Sequence, residues 1–183
     1  ITPDMLALPP CSGSFVLTDI NTGKVKALVS YPGYDANQIN NVSYYASLIN
    51  NSSSPLYNRA TQQTLAPGST FKPISAIAGL EEGVIDADTY ITDYVEYTKV
   101  VPHANCWNSA GHGTINVEQA IEYSCNYFFY EVGYRLGSKN NTTELNDSTG
   151  LALLAKYAKM FGLDSVSGLE LPETTPRISD ESV

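Results

Sequence analysis

From Phe71 to Leu80 the only charged residue is Lys72, and Phe71, Ile74, Ile77, Ala78 and Leu80 place apolar side chains around most of a helical circumference. A helix of that kind is stable only when other elements cover it, so the chain has to build its core around one central helix. Pro67-Gly68 ahead of the segment and Gly83 behind Glu81-Glu82 supply start and stop signals. Pro73 falls in the first turn, where the missing N–H removes little intrahelical bonding. The pattern predicts a helix over 71–82. With 183 residues, 43% of them hydrophobic and 16% charged, the chain has the material for one such core.

Two strands precede this helix. Residues 14–20 and 24–30 alternate in the manner of strands, and Asn21-Thr22-Gly23 between them predicts a hairpin. Pro3, Pro9 and Pro10 make residues 1–13 an extended lead-in, and residues 14–183 are read as one domain. Residues 31–67 are polar and read as a long loop with a short helix at most. Asn116 and Gln119 have the spacing of a capping box and open a helix to about Tyr123. Further helices are predicted over 127–136, stopped by Gly137, and over 151–161, stopped by Gly162, with an exposed loop at 138–149. The class is α+β, an antiparallel sheet with flanking helices. A two-stranded hairpin alone is a poor platform for a buried helix. Either residues 90–101 hold further strands, or residues outside this chain complete the sheet.

Composition removes several functions. Nineteen acidic residues against ten basic ones give a net charge of −9, and no Lys/Arg cluster overrides it, which argues against a nucleic-acid partner. No apolar run reaches the roughly 20 residues that cross a bilayer. Cys11, Cys106 and Cys125 show no metal-ligand spacing; one bridge, such as Cys11 with Cys106, would still leave a free thiol. His103 and His112 stand nine apart without a ligand pattern and read as ordinary polar histidines, so neither a metal nor a cofactor is expected. Trp107 and the aromatic run at 127–130 read as packing.

Two short motifs carry chemistry. In Pro67-Gly68-Ser69-Thr70-Phe71-Lys72-Pro73, Ser69 and Lys72 are three apart and share a helix face. A serine hydroxyl needs a base, and a lysine becomes one when burial lowers its pKa. Chance alone gives about 0.7 Ser-x-x-Lys matches in a chain with 18 Ser and 7 Lys, so the weight lies in the setting, a nearly uncharged helix that buries the amine. Ser124-Cys125-Asn126 lies at a break between two predicted helices. Its hydroxyl could relay a proton and its amide orient a substrate; for Ser124 by itself, an ordinary N-cap is the stronger reading. A second Ser-x-Asn, Ser138-Lys139-Asn140, falls in the polar loop.

Together, Ser-x-x-Lys and Ser-x-Asn resemble the active-site set of penicillin-binding proteins and serine β-lactamases, which Lys-Thr-Gly completes. The resemblance is wider than the two motifs. Val16-Leu17-Thr18-Asp19-Ile20-Asn21-Thr22-Gly23-Lys24-Val25 with Tyr31-Pro32-Gly33-Tyr34-Asp35 is similar to the first hairpin of the transpeptidase domain. Asn58-Arg59-Ala60, Gly111-His112-Gly113-Thr114-Ile115-Asn116-Val117 and Gly168-Leu169-Glu170-Leu171-Pro172 fit as well. The likeness runs from about Ser14 to Pro176 and is strongest to the class B enzymes that crosslink peptidoglycan.

The resemblance implies that Ser69 attacks the penultimate D-alanine of a stem peptide, that Lys72 is the general base, that Ser124 shuttles the proton and that Asn126 holds the substrate amide and Lys72. Ser69, Ser124 and Asn126 would also bind substrate. It implies no cofactor, acylation by β-lactams, a site on the extracytoplasmic face of a bacterial membrane, and a full-length protein anchored there within a cell-wall synthesis complex. No Lys-Thr-Gly or Lys-Ser-Gly occurs in the 183 residues. The expectation is therefore a partial transpeptidase domain with weak or no turnover, whose open sheet edge could pair with a second copy. The alternatives are a serine β-lactamase and a non-catalytic β-lactam sensor.

Overall fold

Asp19 sets the hairpin. Its carboxylate accepts from the Asn21 and Thr22 amides at 3.1 and 3.0 Å, and Gly23 at φ 70° closes the turn. The flanking strands, β1 (Gly13–Thr18) and β2 (Val25–Tyr31), pair antiparallel with an irregularity between Leu17 and Thr18. The computed structural model describes residues 12–138 and 147–179. Most of the expected lead-in, Cys11 and most of the predicted 138–149 loop lie outside them.

The chain divides into two compact units. The first holds the described residues up to Leu65 together with Val166–Thr175. Helices α1 (Val42–Ile49) and α2 (Arg59–Gln62), with a 3-10 turn at Ala36–Gln38, occupy what the sequence suggests is loop. Polar side chains made these elements hard to see and also build them: Asn41 caps α1 by accepting from the Ser43 and Tyr44 amides. Helix α2 packs on the hairpin, and Ser30 ties them, its hydroxyl donating to Asn58 Oδ1 at 3.0 Å and accepting the Ala60 amide at 3.1 Å.

The second unit contains the central helix. A 3-10 turn at Gly68–Phe71 leads into α3 (Lys72–Glu81), which packs against α5 (Asn126–Gly137) and α6 (Asp147–Met160). Ala76, Ala78, Phe128, Val132, Leu136 and Tyr157 are buried among them. Helix α4 (Val117–Glu122) opens with the predicted capping box: Asn116 Oδ1 accepts the Gln119 amide at 3.1 Å and Gln119 Oε1 the Asn116 amide at 3.2 Å. Helix α6 starts four residues earlier than the sequence suggests.

Residues 90–101 do hold strands, but these do not complete the hairpin sheet. Strand β3 (Ile91–Asp93) pairs with β6 (Gly113–Ile115), and β4 (Glu96–Tyr97) with β5 (Ala104–Asn105). Among the described residues the hairpin stays a two-stranded sheet. No described helix is long and apolar enough to cross a membrane.

Candidate active site

Ser69 sits in the 3-10 turn that feeds α3. Gly68 before it takes φ 59°, which a side chain at that position would strain. One turn later Lys72 starts the helix, and the two side chains meet, Nζ to Oγ 3.1 Å. The exposed Ser69 hydroxyl faces outward while the Lys72 stem runs into the unit.

The second motif closes on the same amine. Ser124 has φ 52°, left-handed backbone that costs a non-glycine residue about 1–2 kcal/mol. This reverses the chain between α4 and α5, and it turns two oxygens of one residue toward Lys72: the carbonyl at 2.7 Å and Oγ at 3.0 Å. Asn126, the first residue of α5, accepts from Nζ at 2.6 Å. The N-cap of α5 is not Ser124, as the sequence suggests, but Cys125, whose sulfur accepts the Phe128 amide at 3.5 Å. Freed from capping, the serine hydroxyl points at the amine. Of the rival Ser-x-Asn, Ser138 ends α5, and Lys139 and Asn140 lie outside the described residues.

Two of the four partners of Lys72, the Ser124 carbonyl and Asn126 Oδ1, can only accept; the other two are hydroxyls that also donate. Nζ donates to that set, and in its neutral form it can keep both hydrogens on the two carbonyl oxygens while its lone pair accepts from a hydroxyl. Burial pushes the Lys72 ammonium below lysine's ordinary value, against a smaller opposing effect of the Cys125 and Cys106 thiols. The Phe129 ring, 5.8 Å away, adds an apolar wall. Trp107 is largely exposed rather than core; its Nε1 donates to the carbonyls of Tyr123 and Ser124 at 3.2 and 3.1 Å and braces the break. Tyr127 does pack, edge to face with Tyr94 and Tyr97.

Behind the break lies a cluster that sequence spacing hides. Asp93, Cys106, His112 and Cys125 bring four donor atoms within 4.8 Å of one another. His112 Nδ1 is 2.7 Å from Asp93 Oδ2 and 3.4 Å from Cys106 Sγ; Cys125 Sγ donates to Asp93 Oδ2 at 3.4 Å. His112 is therefore no ordinary polar histidine, its side chain being 6% exposed. His103 is: it is exposed and pairs with Glu96. Burial pushes the Asp93 carboxyl up, but the hydrogen bonds from His112, the Val95 amide and the two thiols outweigh it and hold it below the usual carboxylate value. Two sulfurs, an imidazole nitrogen and a carboxylate oxygen gathered this closely are donors of the kinds that Zn2+ takes. The sequence intervals of 13, 6 and 13 residues match no short ligand motif; the pairings of β3 with β6 and of β4 with β5, beside the start of α5, assemble them.

Residues 13–182 match the model of the penicillin binding protein transpeptidase domain. The peptidoglycan D,D-transpeptidase MrdA of Escherichia coli K12 is 35% identical over 163 residues, which is 86% of this chain and 24% of that protein. The chain thus spans about a quarter of the length of the MrdA relatives it matches. Among solved structures, the ceftriaxone acyl-enzyme of penicillin-binding protein A from Mycobacterium tuberculosis superposes with a TM-score of 0.73 at 32% identity, covering 91% of this chain and 37% of that one. The complex of PBP2 and MreC from Helicobacter pylori gives 0.81 at 24% identity, a likeness of fold alone, over 93% of this chain and 30% of that one.

Proposed function

The chain belongs to the penicillin-binding protein transpeptidase family, and from that premise we propose that it carries the acyl-serine centre of a peptidoglycan D,D-transpeptidase. The convergence of Ser69, Ser124 and Asn126 on the Lys72 amine, all within 3.1 Å, supports the reading.

Neutral Lys72 takes the proton of Ser69 Oγ as that oxygen attacks the carbonyl carbon of the penultimate D-alanine. The proton passes through Ser124 Oγ to the departing nitrogen, the C–N bond breaks, D-alanine leaves and an ester remains on Ser69. Asn126 has a second duty beyond positioning Lys72, since its amide nitrogen is free to hold the substrate amide. The Ser69 N–H supplies one oxyanion donor. In the family the other donor and the carboxylate-binding site lie on a Lys-Thr-Gly strand, a motif that these 183 residues do not contain.

The reaction belongs on the extracytoplasmic face of a bacterial membrane, where the stem peptide is found, in a cell-wall synthesis assembly of the kind the Helicobacter pylori PBP2–MreC complex exemplifies. A β-lactam mimics the D-alanyl peptide and acylates the same serine. No carboxylate is among the partners of Ser69 or Lys72 in the described residues, so no carboxylate base stands there to activate water, which favours a long-lived acyl-enzyme over the hydrolysis of a β-lactamase.

Release of D-alanine from a pentapeptide stem by the full-length protein tests the reading. Lys72→Ala is expected to lower it by about 10²–10⁴-fold, the usual contribution of a general base. Undiminished release by Ser69→Ala overturns it.

A further inference from the structure

Trp107 stands where a core residue would not. It is 64% exposed, so burial contributes little to holding it. What fixes it is its N–H, shared between the carbonyls of Tyr123 and Ser124 at 3.2 and 3.1 Å. Its ring meets His112 edge to face, centroids 5.3 Å apart, which sets the plane of the indole. The two carbonyls belong to the peptide planes on either side of the Ser124 Cα. One donor held between them fixes the angle between those planes. It does so at the residue of the site whose backbone is left-handed, with φ 52°.

We propose that Trp107 is a positioning residue for acyl transfer: its indole N–H holds the Ser124 carbonyl where that oxygen accepts from Lys72 Nζ, and with it the angle at which the Ser124 hydroxyl reaches the same amine. The inference rests on the transpeptidase reading and adds to it a residue outside both motifs.

The amide side of the break is held without the indole. The Ser124 N–H donates to the Ile121 carbonyl at 3.1 Å and the Cys125 N–H to that of Ala120 at 2.9 Å, so the end of α4 survives the loss of Trp107. The oxygen side differs. The Ser124 carbonyl takes Lys72 Nζ at 2.7 Å and the indole at 3.1 Å, which fills both of its lone pairs. Without the indole, that edge of the plane is held by the amine alone, a group on a flexible stem. Ser124 then relaxes from its strained backbone, and both of its oxygens turn off Lys72. Asn126 Oδ1 still holds the amine at 2.6 Å, so aim is lost while the site remains.

The test is rapid mixing of full-length protein with a fluorescent penicillin, which separates the acylation rate constant from the dissociation constant of the complex before it. Two variants are compared with wild type. Trp107→Phe removes the donor and part of the ring. Replacement of Trp107 by benzothienylalanine keeps the bicyclic shape and puts sulfur where the N–H stood, so it leaves the contact with His112 in place. Both are expected to acylate about tenfold more slowly, the size of one lost hydrogen bond, with an unchanged dissociation constant and the same final adduct of one drug per chain. A benzothienylalanine variant that acylates at the wild-type rate overturns the proposal, because the ring and not its N–H is then what counts. A weaker dissociation constant with an unchanged rate constant also overturns it, and makes Trp107 a wall for the ligand. So does a smaller reactive fraction that reacts at the wild-type rate, which is a role in the fold alone. Absence of acylation in the wild type overturns the transpeptidase reading and this inference with it, whereas a normal wild type beside normal variants removes the inference only.

Discussion

Lys72 is the residue on which the chemistry turns, because an ammonium cannot accept the serine proton. Burial lowers its pKa, so the neutral base is populated at lower pH than for a free lysine. The sign follows: acylation slows as pH falls through that lowered value and levels off above it. A pH profile of the acylation rate of full-length protein should show a midpoint below 10.5, lysine's ordinary value; a midpoint at or above it contradicts the base assignment. Asn126→Ala removes the 2.6 Å contact and leaves Lys72 with fewer acceptors, so its pKa and the midpoint of the profile should shift while Ser69 remains reactive. Ser69 and Lys72 stood out in the sequence as a candidate pair through their setting on a nearly uncharged helix, whereas Ser124 by itself read as an N-cap and only the family resemblance joined it and Asn126 to them. Why they meet was not legible. The left-handed backbone of Ser124, the sulfur cap at Cys125 and the brace from Trp107 depend on tertiary contacts that no local pattern reports.

At the scale of elements, α4 and α5 hold the second motif in place. Asn116→Ala removes the capping box and should cost about 1 kcal/mol in denaturant unfolding with an unchanged slope. Helix α5 is anchored further along by Glu131, 6% exposed, which accepts from the Tyr97 hydroxyl at 2.8 Å, Lys99 at 2.8 Å and Arg135 at 2.8 Å. Burial pushes its carboxyl up, but Lys99, Arg135 and Tyr97 outweigh that and hold it below the ordinary 4.5. Its stabilisation is therefore complete above that value and lost as pH falls through the lower folded one. Glu131→Ala strands the buried Tyr97 hydroxyl and should cost about 2–3 kcal/mol, discounted for the exposure of Lys99 and Arg135. An unchanged unfolding midpoint contradicts the anchor. The hairpin, α3, α4 and α5 could be read from periodicity and capping, because their signals are local. Helices α1 and α2 could not, since Asn and Ser residues build both caps and loops and the apolar content there is low.

Across the whole molecule the unmet demand is the hairpin. Phe15, Leu17 and Val29 are each about half exposed, and both strands are sheet edges among the described residues. We expect the isolated chain to self-associate with concentration in sedimentation velocity, and Phe15→Lys to suppress it; a monomer at all concentrations contradicts this. The sequence anticipates an unfinished sheet, yet not that the strands at 91–97 belong to other ladders, because pairing partners are a property of the fold. The central claim is narrower and concerns one bond. Full-length protein incubated with penicillin and weighed intact should gain the mass of one drug molecule per chain, and Ser69→Ala should gain none. An adduct that survives in Ser69→Ala, or no adduct on the wild type, would contradict Ser69 as the nucleophile.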